Sequence, residues 1–292
     1  MGARAELLLN RMGEYEALGG GSDDEEAAQM LEGEDAGVEV AVDEAAEVER
    51  PDVNSWDYLS SGLTFSADRI LDSDRNGVMM EWERGIMKRS AELLLPGPGL
   101  RVLNVGFGMG IIDGFFQGHA PSTHHIIEAH PAVLSRMTES GWREKEGVEV
   151  HEGRWQDVVP ELLAEGVMFD AIYFDTFAED YKDLREFFSE SVIGLLDGDG
   201  RFGFFNGLGA DRQVCYDVYT KVSNSVSSKR RLWRCTDVRL QVVEMDLFEA
   251  GFDTEWDDVK VPDLETEKEW EGVRRRYWAV DKYRLPTCRF IS

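Results

Sequence analysis

Basic side chains are scarce in this 292-residue chain: 31 Lys and Arg stand against 58 Asp and Glu, a formal charge of -27. Phosphate backbones and anionic lipid surfaces repel such a protein, which disfavours nucleic acid and membranes as direct partners. Cysteine is almost missing. Cys215, Cys235 and Cys288 are an odd set without a CxxC spacing, which argues against a disulfide framework or zinc. The five histidines form no HExxH and no ligand pair on a helix face, so no metal is expected. No segment reaches the ~18 apolar residues needed to span a bilayer. Leu7–Leu8–Leu9 is too short for a signal-peptide core, and Glu6 spoils a myristoylation pattern. No internal repeat of about 20–50 residues is present. An intracellular, soluble protein is expected.

What is present supports a large core: 42% of the residues are hydrophobic and 11% aromatic. The acidity is concentrated. Residues 23–49 carry twelve acids and no Lys or Arg, and residues 249–271 carry ten acids and two lysines, leaving -7 over the rest. A basic protein is the partner such charge would steer, although acidic runs also serve only to solvate a surface. Residues 1–18 read as a short helix and 19–53 as an acidic, disordered linker.

From residue 54 the texture is that of a folded domain. Helical spacing runs over 78–95 and stops at Pro96–Gly97–Pro98–Gly99. Apolar strands are expected at 100–105, 124–129, 148–153, 169–176 and 201–206, with helices between them and the turn Asp197–Gly200 before the fifth. Further strands are expected near 236–243 and 277–291. This alternation predicts an α/β fold with a mostly parallel, doubly wound sheet and an antiparallel final pair.

Chemistry-bearing residues fall at the strand ends. Gly106–Phe107–Gly108–Met109–Gly110 follows the first strand, where glycines let the backbone turn tightly and approach a ligand. Glu128 ends the second strand, placed to accept ribose hydroxyls; a nicotinamide cofactor and S-adenosylmethionine fit equally at this point. Trp155–Gln156 follows the third strand and offers an adenine a wall and a polar contact, or simply packs. Asp175 ends the fourth, as a ligand contact or a helix cap. Glu83 and Met87 share a helix face.

Together LNVGFGMGI (103–111), IIEAH (126–130), GRWQD (153–157), FDAIYFDTF (169–177) and VMMEWE (78–83) resemble the guanidinoacetate methyltransferase-like family. Within it the chain is most similar to the fungal type IV protein arginine N-methyltransferases, the δ-nitrogen enzymes, over about residues 54–292. The resemblance implies a Rossmann-like, seven-stranded methyltransferase sheet with an antiparallel final strand, and S-adenosyl-L-methionine as cofactor. Gly106, Phe107, Gly108, Met109, Gly110, Ile111 and Ile112 would cradle it, with Glu128 on the ribose and Ala129 and His130 beside the adenosine. Trp155 and Gln156 would flank the adenine. Met87 would pack on the cofactor, and Tyr58, with Trp56 as the alternative, would cover it. Glu83 and Asp175 would grip the guanidino group, with Asp175 also touching the cofactor.

The resemblance further implies a monomeric, cytoplasmic and nuclear enzyme acting on a basic ribosomal large-subunit protein. Two departures stand out. Of the ankyrin-like region that the resemblance implies at the start of such proteins, only a remnant of its last helix is expected, at residues 1–18. The loop Phe205–Asn206–Gly207–Leu208–Gly209 replaces the Thr-bearing loop of the small-molecule enzymes. The alternatives are a guanidinoacetate-type methyltransferase and a non-catalytic acidic adaptor for basic proteins. The run Ser228–Lys229–Arg230–Arg231 reads as a surface loop more readily than as a nuclear address.

Overall fold

The computed structural model describes residues 55–220, 243–266 and 268–291. A short helix α1 (Ser55–Ser60) leads into a small antiparallel sheet of β1 (Thr64–Phe65), β2 (Arg69–Leu71) and β3 (Gly77–Met80). A 3-10 turn at Glu81–Glu83 then opens α2 (Arg84–Leu94). The alternating body follows: β4 (Arg101–Val105), α3 (Ile111–Gly118), β5 (Thr123–Glu128), α4 (Pro131–Glu139), β6 (Val148–Glu152), α5 (Trp155–Glu165) and β7 (Phe169–Phe174). Next come α6 (Tyr181–Glu186), a π-helical stretch at Phe187–Ser191, α7 (Val192–Leu195), β8 (Leu196–Phe204) and α8 (Gln213–Thr220). The C-terminal part holds α9 (Val243–Glu249), β9 (Phe252–Lys260) and β10 (Lys282–Phe290).

The large sheet has seven strands in the order β6-β5-β4-β7-β8-β10-β9. Strands β4 to β8 pair in parallel, and β10 runs antiparallel to both of its neighbours. This is the mostly parallel, doubly wound sheet that the strand–helix alternation predicts, with the seven strands and antiparallel final strand that the resemblance implies. Central β4 is buried on both faces, as a parallel strand with covered faces must be. Val102 packs with Met87, Ala91 and Leu94 of α2 and Phe116 of α3, whereas Leu103 and Val105 pack with Val158 and Leu162 of α5 and Phe187. The strand order reverses at β4 while the polarity is kept, so the carboxyl ends of β4, β5 and β7 open one crevice.

Four expectations change. Val78, Met79 and Met80 are not helical: β3 pairs with β2, Ile70 opposite Met79, and the helix starts at Arg84. Tertiary pairing overrides the helical spacing there. The Asp197–Gly200 turn lies within β8 as an irregularity, since Leu196 pairs with Phe169 but Arg201 with Ala171. In the expected strand near 236–243, residues 236–242 lie outside the described residues, and Val243 opens a helix. Among the described residues the edge beside β10 is β9, inside the acidic 249–271 segment, with Asp253, Glu255 and Asp258 exposed. Residues 277–281 precede the last strand rather than belonging to it. The helix at 1–18, the linker at 19–53, Cys235 and the basic run at 228–231 also lie outside the described residues. Among the described residues, no helix is long and apolar enough to cross a membrane.

Candidate active site

At the end of β4 the chain must pass between two neighbours. Gly106 N–H donates to Ile127 O at 2.9 Å, and Asp175 N–H donates to Val105 O at 2.9 Å. With φ at +93°, Gly106 occupies backbone space that a side chain cannot share: a Cβ there would lie 2.0 Å from Asp175 O. At Gly108 a Cβ would come within 2.7 Å of Met79 Sδ. The turn is therefore pressed against β7 on one side and β3 on the other.

Below the turn, the wholly buried Asn104 Nδ2 donates to Gly106 O at 2.9 Å and to Asp113. His124 Nδ1 accepts from Gln117 Nε2 at 2.9 Å, which leaves its Nε2–H to donate to Asp113 Oδ1 at 3.0 Å. This buried brace was not foreseen, because its members are spread over β4, α3 and β5. Only a polar residue inside an apolar strand run signals it.

Glu128 knits the next turn to the first. One oxygen accepts from Phe107 N–H at 2.9 Å and the other from His130 N–H at 2.7 Å. Burial raises its pKa while these backbone donors oppose the rise. His130 caps α4 through Nδ1, which accepts from Ala132 N–H, so its Nε2–H donates to Tyr58 O at 3.2 Å. The Tyr58 ring stands 4.8 Å from that of His130 and 4.9 Å from that of Phe177. Helix α1 is thus pinned over the crevice by Tyr58. Trp56 points outward, 71% exposed, beneath the Arg154 guanidinium.

The resulting cleft encloses about 630 Å³, part of it open to solvent. It is lined by Tyr58, Met79, Gly106, Gly108, Glu128, Ala129, Trp155, Asp175 and Glu179, among others. Glu179 organises one wall: it accepts from Trp155 Nε1 and Gln156 Nε2, each at 3.0 Å, and from Thr176 Oγ1 at 2.7 Å. Sequence reasoning missed it, although it lies four residues beyond the flagged strand end. Gln156 does not line the cleft, and its Oε1 is buried without a hydrogen-bond partner.

Several expected cofactor contacts are core residues. Phe107, Ile111 and Ile112 are buried, and Met87 is fully buried in one cluster with Met79, Ile111 and Ile112. None of these four lines the cleft; Met79 of β3 does. Gly110 caps α3, and Met109 N–H faces Met79 Sδ at 3.1 Å.

Two carboxyls define the second half of the site. Asp175 stands in the cleft wall, and burial together with the charge of Asp113 pushes its pKa up to about 7. Glu83, 4% exposed just before α2, does not line the cleft, but the Asp175 charge reaches its carboxyl. Burial and the Asp175 charge push Glu83 up to about 8, against the hydrogen bond from Tyr277. The Phe205–Gly209 loop is tied down: buried Asn206 donates through Nδ2 to Arg284 O at 3.1 Å, and its N–H to Tyr283 Oη at 2.8 Å.

Away from this cleft, His125, Glu149 and His151 converge within 4.8 Å across β5 and β6. Helix-based spacing could not reveal them, because strand pairing brings them together. The two imidazoles satisfy each other, His125 Nδ1 to His151 Nε2 at 3.0 Å.

The guanidinoacetate N-methyltransferase family model matches residues 53–288. A protein arginine N-methyltransferase 2 of Aspergillus fumigatus is 55% identical over the whole chain, which spans 68% of that relative. That of Neurospora crassa is 47% identical, again over the whole chain and 72% of the relative. Among solved structures, spermidine synthase from Thermotoga maritima is similar at 12% identity and a TM-score of 0.47, over 78% of this chain and 72% of that one. The chain belongs to the guanidinoacetate N-methyltransferase family.

Proposed function

We propose that this protein methylates the internal, δ nitrogen of an arginine side chain in a basic protein, a ribosomal large-subunit protein being the class that the family resemblance favours. The observation that carries the reading is two carboxyls at one cleft: Asp175 in its wall, and buried Glu83 within reach of the Asp175 charge. The relatives' name, protein arginine N-methyltransferase 2, supports a protein arginine as substrate.

The cleft suits S-adenosyl-L-methionine. Its glycine turn has no room for side chains, Glu128 offers a carboxylate for the ribose, and Trp155 offers an aromatic wall. When bound, the cofactor supplies an electrophilic methyl group. Everything else falls to the protein. A guanidinium is always charged and its nitrogen lone pairs are delocalised, so it attacks poorly until one nitrogen is aimed. Glu83 and Asp175 hold its N–H groups by charge-assisted hydrogen bonds, which fixes that aim. Asp175 takes the proton that the methylated nitrogen sheds. Tyr58, pinned by His130, covers the cleft and keeps water out. The acidic surface steers a basic partner inward.

Label from methyl-tritiated S-adenosylmethionine should enter a basic ribosomal protein fraction and not guanidinoacetate. Label in guanidinoacetate alone would overturn the protein-arginine reading. Unchanged cellular function after Asp175→Asn and Glu83→Gln would favour an adaptor.

A further inference from the structure

Glu83 is buried beside another carboxyl, and a buried carboxylate keeps its charge only when donors reach it. The side-chain donor that does so comes from the far end of the chain. Tyr277 Oη donates to Glu83 Oε1, across 194 residues of sequence. Its direction is dictated by a third group. Trp82 Nε1 lies 3.2 Å from the same hydroxyl, and an indole N–H can only donate. The phenol oxygen therefore accepts from Trp82 and spends its single proton on Glu83.

The phenol is held in place independently of Glu83. Its ring lies edge-on to Trp270 at 5.0 Å and 5.9 Å from Trp82. A Cβ on buried Gly77 would stand 3.0 Å from Tyr277 Cε1, so the ring sits tight against β3. The segment that carries it is clamped to the same hairpin: Arg69 Nη1 donates to Glu269 O and Glu271 O at 2.9 and 3.0 Å, and Arg274 N–H to Arg75 O at 2.8 Å.

Resting on the guanidinium-gripping role given above to Glu83, we propose that Tyr277 is a positioning residue for it. The hydroxyl, aimed by the Trp82 indole, holds the Glu83 carboxylate in one orientation and in the charged form that takes an arginine side chain. The other ionisable groups around Glu83 do not replace it. Asp175 opposes the charge on Glu83, and the buried phenols of Tyr173 and Tyr283 are kept neutral by burial.

Tyr277→Phe removes the donor and keeps the ring. In the full chain, kcat/KM for a protein substrate should fall about 10–100-fold at pH 7, the range expected for losing a hydrogen bond to a charged group. The deficit should shrink as pH rises above 8, where a growing share of Glu83 ionises even without the donor. S-adenosylmethionine affinity, read by titration calorimetry, should not change. Replacing Tyr277 with 3-fluorotyrosine, a better donor of nearly the same shape, should move the acidic limb the opposite way. Trp82→Phe should move it as Tyr277→Phe does, by less.

Carbon-13 labelling of the glutamate carboxyls reads the same effect without turnover. The Glu83 titration midpoint should rise in Tyr277→Phe and fall with the fluorinated residue. An unchanged midpoint in both, or a loss of activity equal at every pH, would overturn the proposal and leave Tyr277 as packing. Shifted midpoints in an enzyme that labels no protein would instead refute the substrate reading and leave the positioning effect standing.

Discussion

The cofactor half and the guanidinium half of the cleft are built by opposite means. The first is local: each of β4, β5 and β6 ends in a turn that delivers its own residues, Gly106–Gly110, Glu128 and Trp155. The second is assembled from afar. Glu83 immediately precedes α2, Asp175 follows β7, and Trp270, Trp278 and Tyr283 of the C-terminal segment cluster with Trp82. The lesson is that the two halves should fail separately.

Glu83→Gln is the strongest test of that separation. It should lower kcat by about 10²–10⁴-fold, the usual size of a positioned acid–base or gripping contribution, with cofactor affinity kept. Glu128→Ala acts on the other half. Removing a carboxylate that accepts from two backbone N–H groups should weaken S-adenosylmethionine binding by about 10–100-fold, measured by calorimetry. Equal damage to binding and turnover in both variants would erase the distinction.

The pH profile sharpens it. The guanidinium half works only when ionised, and its carboxyls are raised to about 7 and about 8. The kcat/KM should therefore climb with pH, falling about tenfold from pH 8 to pH 7 and more steeply below, where both carboxyls take up protons. Cofactor binding should be flatter over the same range.

Legibility from sequence divides along the same line. Strands β4, β5 and β7 and the residues at their ends could be read directly, because buried parallel strands are largely apolar runs followed by turns, and edge strand β6 by its alternation. The C-terminal half could not. Strand β9 hides inside an acidic segment, since an edge strand carries charge outward to prevent further pairing. Tyr277 gives no local signal at all: its partners Trp82 and Glu83 are nearly two hundred residues away. Val78–Met80 mimics a helix until β2 is present to pair with it.

Stability offers a smaller effect. The folded state binds a proton on Glu83 that the unfolded chain has lost, so stability falls as pH rises from the ordinary carboxyl range through about 8. Glu83→Gln escapes this cost. Its melting temperature should exceed that of the unaltered protein at pH 9 by about 2–4 °C for each kcal/mol regained, and by less at pH 6. The smallest effect belongs to the N-terminal acids. Deleting residues 19–50 should raise KM for a basic protein only at low salt, where charge still steers over distance.

The most direct test is fragment-ion mass spectrometry of a basic ribosomal protein incubated with this enzyme and S-adenosylmethionine. A single methyl group on the internal nitrogen of one arginine is the predicted result. Methyl groups on the terminal nitrogens, or none on any arginine, would contradict the account.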